Sequence, residues 1–134
     1  MRLTGKTAIV TGGASGFGAG ISQKFIAEGA QGMIADINAA AAGLLASDIG
    51  GQAIACGADV ADGTSVAAMT ETALKAWGHV DILVNNAGVT HLPGPLEDIS
   101  EDDFDRVTAV NMKSVYLTAR ALVPHMKNRG SGAI

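Results

Sequence analysis

The stretch Thr11-Gly12-Gly13-Ala14-Ser15-Gly16-Phe17-Gly18 sits directly after a short apolar run. Glycines at such a turn let the backbone bend sharply and approach a ligand with no Cβ in the way. A helix beginning there offers unpaired N–H groups and a partial positive charge, which suit a pyrophosphate. Two competing chemistries fail on spacing. No Lys-Ser/Thr follows Gly18, as a nucleoside-triphosphate loop requires, and Ser15 lacks the flanking glycines of a nucleophile elbow. Taken alone, the stretch also fits an ordinary glycine-rich turn between a strand and a helix.

Asp36 narrows the choice. It lies 18 residues beyond Gly18, at the end of a second apolar run. A carboxylate there can accept hydrogen bonds from both ribose hydroxyls of an adenosine, and it repels a 2′-phosphate. No Arg or Lys stands near Ser15 or Ile37 to neutralise that phosphate, so the pattern favours NAD over NADP. A plain strand-end aspartate is the simpler alternative. Asn111 is the third candidate, because it falls on an apolar helical stripe of Phe104, Val107, Val115, Leu122 and Met126. A buried amide without partners costs roughly 1–3 kcal/mol, so this stripe predicts an amide bonded to something.

These residues need elements to hold them, and the chain alternates between two periodicities. Residues 7–10 are apolar and β-branched, as in a buried strand. The following helix carries Ile21 and Phe25 on one face and ends at Gly29, and residues 32–35 form a second strand that Gly32 should weaken. Asn38 is placed to cap an alanine-rich helix reaching about residue 47, followed by a strand at 52–58. A helix over 64–77 closes at Gly78, and residues 80–84 make the clearest strand. Pro93-Gly94-Pro95 marks a loop. The longest helix then starts at Ser100, with Asp103 in a capping-box position, acidic residues in its first turns, and Lys127 and Arg129 at its end. Pro124 is expected to kink or weaken its last turns. Gly130-Ser131-Gly132 reads as a turn, and Ala133-Ile134 as the first residues of a fifth strand. No internal repeat interrupts this order. Strands alternating with helices of this length give an α/β fold with a parallel sheet.

Composition bounds the remaining classes. The 134 residues are 48% hydrophobic and 16% charged, which fits one globular domain over residues 1–134. A net charge of −4 gives no footprint for nucleic acid, and the seven-residue spacing of Arg106, Lys113, Arg120 and Lys127 suits a solvated helix face. Cys56 has no partner for an internal disulfide, and a reducing cytoplasm is the expected setting. No signal-peptide core and no run near the ~20 apolar residues of a membrane span are present.

The residues together resemble the short-chain dehydrogenase/reductase family. Its Thr-Gly-x-x-x-Gly-x-Gly pattern is met by Thr11, Gly12, Gly16 and Gly18, and its Asn-Asn-Ala-Gly by Asn85, Asn86, Ala87 and Gly88. Its Asp-Val is met by Asp59 and Val60, and its helix asparagine by Asn111. The resemblance runs in order from Lys6 to Ile134 and implies a Rossmann-type doubly wound sheet of about four strands, stopping at the start of the fifth. It implies that Gly12, Ser15, Gly16, Phe17 and Gly18 cradle the pyrophosphate, and that Asp36 with Ile37 holds the adenosine ribose. Asp59 and Val60 would contact the adenine, and Asn86, Ala87 and Gly88 would line the cleft beside the ribose. Asn111 would belong to the catalytic group, ordering a water beside a catalytic lysine. A homo-oligomer built on the long helix and the next one is implied as well.

The resemblance also shows what this stretch of sequence lacks. The family's proton transfer uses a Tyr-x-x-x-Lys pair helped by a serine. Tyr116 and Arg120 imitate that spacing, but they lie five residues after Asn111 on the same helix, and Arg does not release its proton as Lys can. Ser131 precedes the fifth strand, where the family's serine would follow it. His79, His91 and His125 show no metal-ligand spacing. The expectation is therefore the cofactor-binding, N-terminal part of an NAD(H)-dependent oxidoreductase for an alcohol/carbonyl pair, inactive on its own. The alternative is a stand-alone dinucleotide-binding module or pseudoenzyme.

Overall fold

The structure, a computed structural model, describes residues Met1–Ile134. Strand β1 (Thr7–Thr11) is buried along its whole length, as a central parallel strand covered on both faces must be. It is followed by α1 (Gly16–Ala27), β2 (Gln31–Asp36), α2 (Ala39–Ile49), β3 (Ala53–Gly57), α3 (Gly63–Trp77) and β4 (Ile82–Val84). All pairings are parallel, in the order β3-β2-β1-β4. The chain winds outward from β1 to β3, then returns to the other side of β1. Ligands of such sheets bind outside the strand C-termini where the winding reverses, here between the ends of β1 and β4.

One face of the sheet presents Ile9, Met33, Ala35 and Leu83 to Val66, Met69 and Ala73 of α3 and to Leu122 and Met126 of a later helix. The other face carries α1. A Cβ at Gly32 would lie 2.9 Å from the Ile26 side chain, so the glycine that weakens β2 as a strand is what lets α1 sit close to it. β4 is shorter than the 80–84 expected, because its ladder to β1 begins only at Ile82. Val80 is nonetheless buried, and the Asp81 N–H already bonds to Thr7 O at 3.1 Å. Beyond β4, Ala133 bridges to Ile82 in parallel, and the Leu83 N–H donates to Ala133 O at 3.0 Å. That pairing is the expected entrance to a fifth strand.

Asp81 ties the N-terminal ends of these strands together. It is 5% exposed and accepts from the Thr7 N–H at 3.0 Å and from Arg129 at 2.9 Å, with Lys6 and His79 within 3.7 Å and 3.3 Å. Desolvation alone pushes this carboxyl up. The Thr7 N–H, the Arg129 guanidinium and the Lys6 charge together outweigh it and hold the group down at about 2.

The long helix is not continuous. Helix α4 (Glu101–Thr108) passes through a π segment (Ala109–Lys113) into α5 (Ser114–Arg129). Ser100 caps α4 by accepting from the Asp103 N–H at 3.1 Å, but the reciprocal half of the box is missing, since the Asp103 carboxylate takes Arg106 instead. Helix α5 runs through Pro124, an exposed position with no N–H to offer the carbonyl one turn back.

The expected apolar stripe does not hold as drawn. Leu122 and Met126 are buried, but Phe104 and Val115 are 65% and 44% exposed, and Asn111 is exposed too. A π turn adds a residue and rotates everything after it, so the inward row of α5 is Ser114, Thr118, Leu122 and Met126. The small polar start of that row is paired, with the Thr118 hydroxyl donating to Asn85 Oδ1 at 2.8 Å.

Candidate functional site

A cleft of about 330 Å³ opens at the C-terminal ends of the strands. It is lined by Gly12, Ser15, Phe17, Asp36, Ile37, Asp59, Val60, Asn86, Ala87 and Gly88, together with Ala58, Val89 and Val110. Every residue read from the sequence as cofactor-binding is therefore on its wall except Gly16 and Gly18. Those two lie in the first turn of α1.

The loop after β1 is held from both sides. On the β4 side, the Thr11 hydroxyl accepts from the N–H groups of Asn86 and Ala87, both at 3.1 Å, and donates to Val84 O. The Asn86 amide returns the contact by donating to Thr11 O at 2.9 Å and Gly12 O at 3.1 Å. On the β2 side, the Gly13 N–H donates to Ala35 O at 3.1 Å and the Ala14 N–H to Asp36 Oδ2 at 3.0 Å. The backbone is then so compact that side chains are excluded. Gly12 has φ of 60°, and a Cβ on it would lie 2.9 Å from Ala87 Cα. A Cβ on Gly18 would overlap the Gly12 carbonyl oxygen.

The start of α1 is built differently from its neighbours. Asn38, Asp62 and Ser100 each cap their helices with a side-chain oxygen, whereas Ser15 makes no such bond at the head of α1. The first N–H groups of α1 and the Ser15 hydroxyl thus stay available toward the cleft. An anion fits this position.

Farther along the wall, Asp36 also accepts from the Asn38 N–H through Oδ1 at 2.9 Å. A carboxylate has about four acceptor sites, so two remain for a ligand. Asp59 is fixed by its N–H to Ser65 Oγ and by accepting from the Ala61 N–H, both at 2.9 Å. Exposed Ile37 and buried Val60 and Ala58 give this end its apolar surface.

Asn111 needs correcting in its setting. Its amide is bonded, but to the backbone of one residue at the cleft's edge: Oδ1 accepts from the Val89 N–H at 2.8 Å and Nδ2 donates to Val89 O at 2.9 Å. It is a clamp on the segment that leaves β4 rather than a buried stripe residue. Val89, Val110 and Ala58 carry no chemistry in their side chains, so sequence reading had no signal for them. The adjacency of Val89 to the Asn-Asn-Ala-Gly run was the available hint.

The imitators stay outside. Arg120 donates to the Tyr116 hydroxyl at 3.3 Å, and neither residue lines the cleft. Burial pushes the Cys56 thiol up, which disfavours a reactive thiolate. A second, more open hollow of about 660 Å³ follows residues 90–95 and the start of α4, and shares no lining residue with the cleft. No helix is long and apolar enough to cross a membrane.

Residues 6–134 match the family model described as short chain dehydrogenase. The chain is 42% identical over 137 residues to 4-formylbenzenesulfonate dehydrogenase of Comamonas testosteroni, covering 100% of this chain and 54% of that protein. Among solved structures, a 3-ketoacyl-(acyl-carrier-protein) reductase from Brucella melitensis complexed with NADH superposes with a TM-score of 0.94 at 44% identity, over 96% of this chain and 53% of that one. A metagenomic short-chain oxidoreductase in complex with NADP gives 0.92 at 34% identity, over 98% and 61%. The chain spans about half the length of the curated relatives it matches.

Proposed function

The chain belongs to the short-chain dehydrogenase family of oxidoreductases, and from that premise we propose that it is the NAD(H)-binding part of an enzyme interconverting an alcohol and a carbonyl. The observation that carries this reading is the cleft itself, where the uncapped head of α1, the Asp36 carboxylate and the Asn86–Gly88 turn face one volume. In the proposed complex the N–H groups of the Ser15–Gly18 turn and the Ser15 hydroxyl bind the pyrophosphate. Asp36 accepts from the adenosine ribose hydroxyls, with Ile37 against the same sugar, and its charge disfavours a 2′-phosphate. Asp59 and Val60 border the adenine, and Asn86, Ala87 and Gly88 line the cleft beside the ribose. A bound nicotinamide supplies the hydride chemistry. Asn111 serves the reacting end by holding Val89 in place, and a proton-transferring Tyr-x-x-x-Lys pair is to be sought outside these residues. The setting proposed is cytoplasmic, and the whole enzyme is proposed to be a homo-oligomer.

Titration calorimetry with NAD and NADP tests the cofactor assignment. NAD is expected to bind at least about tenfold more tightly, equivalent to about 1.4 kcal/mol. Equal or tighter binding of NADP would overturn it. The 134-residue chain alone is expected to give no sustained NADH formation with any alcohol, and steady turnover would refute that expectation.

A further inference from the structure

The phosphate loop is fastened to the end of β2 by two consecutive N–H groups, and they are unlike in kind. The Gly13 N–H uses a backbone carbonyl, that of Ala35, at 3.1 Å. The Ala14 N–H uses a side chain, Asp36 Oδ2, at 3.0 Å. Ala14 is the last residue before Ser15 at the head of α1, so this bond sets where the chain enters α1 and where its first N–H groups point. The other oxygen of the same carboxylate is held by the Asn38 N–H at 2.9 Å, which fixes its orientation. We infer that Asp36 is, besides reading the ribose, a positioning residue for the phosphate loop, acting through the Ala14 N–H. Ribose recognition and pyrophosphate recognition are then coupled through one carboxylate.

The physical argument is one of acceptor supply. With the carboxylate removed, the half-buried Ala14 N–H loses the acceptor it uses, and charge-assisted bonds of this kind are roughly twice as strong as neutral ones. The β4 side does not compensate, because Asn86 reaches only the carbonyls of Thr11 and Gly12. Loss of Asp36 therefore frees the loop at its α1 end while its β1 end stays fixed.

The inference rests on the dinucleotide reading for its binding arm only. In the ligand-free protein, amide hydrogen exchange of Ala14 is compared between the natural chain and Asp36→Ala. The expected result is exchange about tenfold faster at Ala14 with unchanged protection at Ile9 and Leu83, as for a local opening. In the binding arm, an NAD analogue lacking both adenosine ribose hydroxyls is titrated into both proteins. If Asp36 acted only on those hydroxyls, the substitution would leave affinity for this analogue unchanged. A further loss of about fivefold or more is expected, the part of the Asp36 effect that persists when its ribose partners are removed in a double-mutant cycle. Asp36→Asn keeps the shape but offers one oxygen to two N–H groups, and should fall between the two proteins in both readouts. Unchanged Ala14 exchange would overturn the inference. Failure of the natural chain to bind NAD at all would instead sink the cofactor reading, and the exchange comparison would still decide the positioning role.

Discussion

Gly18 shows how tightly single residues constrain the site. A Cβ there would overlap the Gly12 carbonyl and sit 2.5 Å from the Asn86 amide nitrogen, and both of those groups belong to the frame of the loop. Gly18→Ala must displace one of them, and overpacking of this sort costs typically 1–3 kcal/mol. The variant is expected to lose at least about tenfold in NAD affinity and to unfold at lower urea; unchanged affinity would show that the loop can shift without consequence. Asp81 acts at the opposite end of the strands. Its folded value of about 2 lies below its ordinary one, so its contribution is complete above about pH 4 and is lost as the pH falls toward 2. At neutral pH that contribution is about 2 kcal/mol, the size of the downward shift that the Thr7 N–H, Arg129 and Lys6 produce against desolvation. Asp81→Asn should lower the stability by this amount at pH 7 and flatten the loss between pH 4 and 2. Urea unfolding measured across that range checks it, and parallel curves for the two proteins would contradict the assignment.

At the scale of elements, the π segment is what converts one long helix into a scaffold for the site. It places Val110 on the cleft wall and lets the Asn111 amide reach both polar groups of Val89. Asn111→Ala breaks both bonds in an exposed setting and is expected to cost about 1–2 kcal/mol, with faster amide exchange at Val89 as its local mark. Exchange unchanged at Val89 would mean the turn is held by other contacts. This segment is also where the sequence was least legible. The strand and helix order, the caps at Asn38 and Ser100 and the closing Gly78 could be read, because each follows from a local rule of period or cap chemistry. Of the cleft residues, the glycines and Asp36 could be read as short-range signals, whereas Asp59, Val60 and Asn86 to Gly88 followed only from the resemblance to the family. A π insertion has no such signal: Phe104 through Met126 keeps a plausible helical repeat on paper, and only packing decides that Ser114 and Thr118 turn inward instead of Val115. The short β4 escaped for a related reason, since Val80 is buried as a strand residue would be without joining the ladder.

For the molecule as a whole, the α4–α5 surface presents a row of large apolar side chains that the fold does not cover. Phe104 on α4, Met112 in the π segment and Val115 and Tyr116 on α5 are 65%, 69%, 44% and 58% exposed. Scattered apolar residues on a surface are ordinary, but four on these neighbouring helical segments are where we propose a self-contact. Burying even two such side chains per copy supplies several kcal/mol at roughly 1.5–3 kcal/mol each. The rod is also charged unevenly, with Glu101, Asp102 and Asp103 in its first turn and Lys127 and Arg129 in its last. Two copies laid antiparallel about a two-fold axis bring acidic ends against basic ones while the apolar rows meet, which satisfies the self-complementarity of an isologous contact. A dimer that loosens at high salt is therefore expected in sedimentation velocity. Val115→Glu with Met112→Glu should give a monomer, and because both side chains are exposed the monomer should retain its fold and its NAD affinity. A natural chain that sediments as a monomer at every concentration tried would rule out this face as a self-contact.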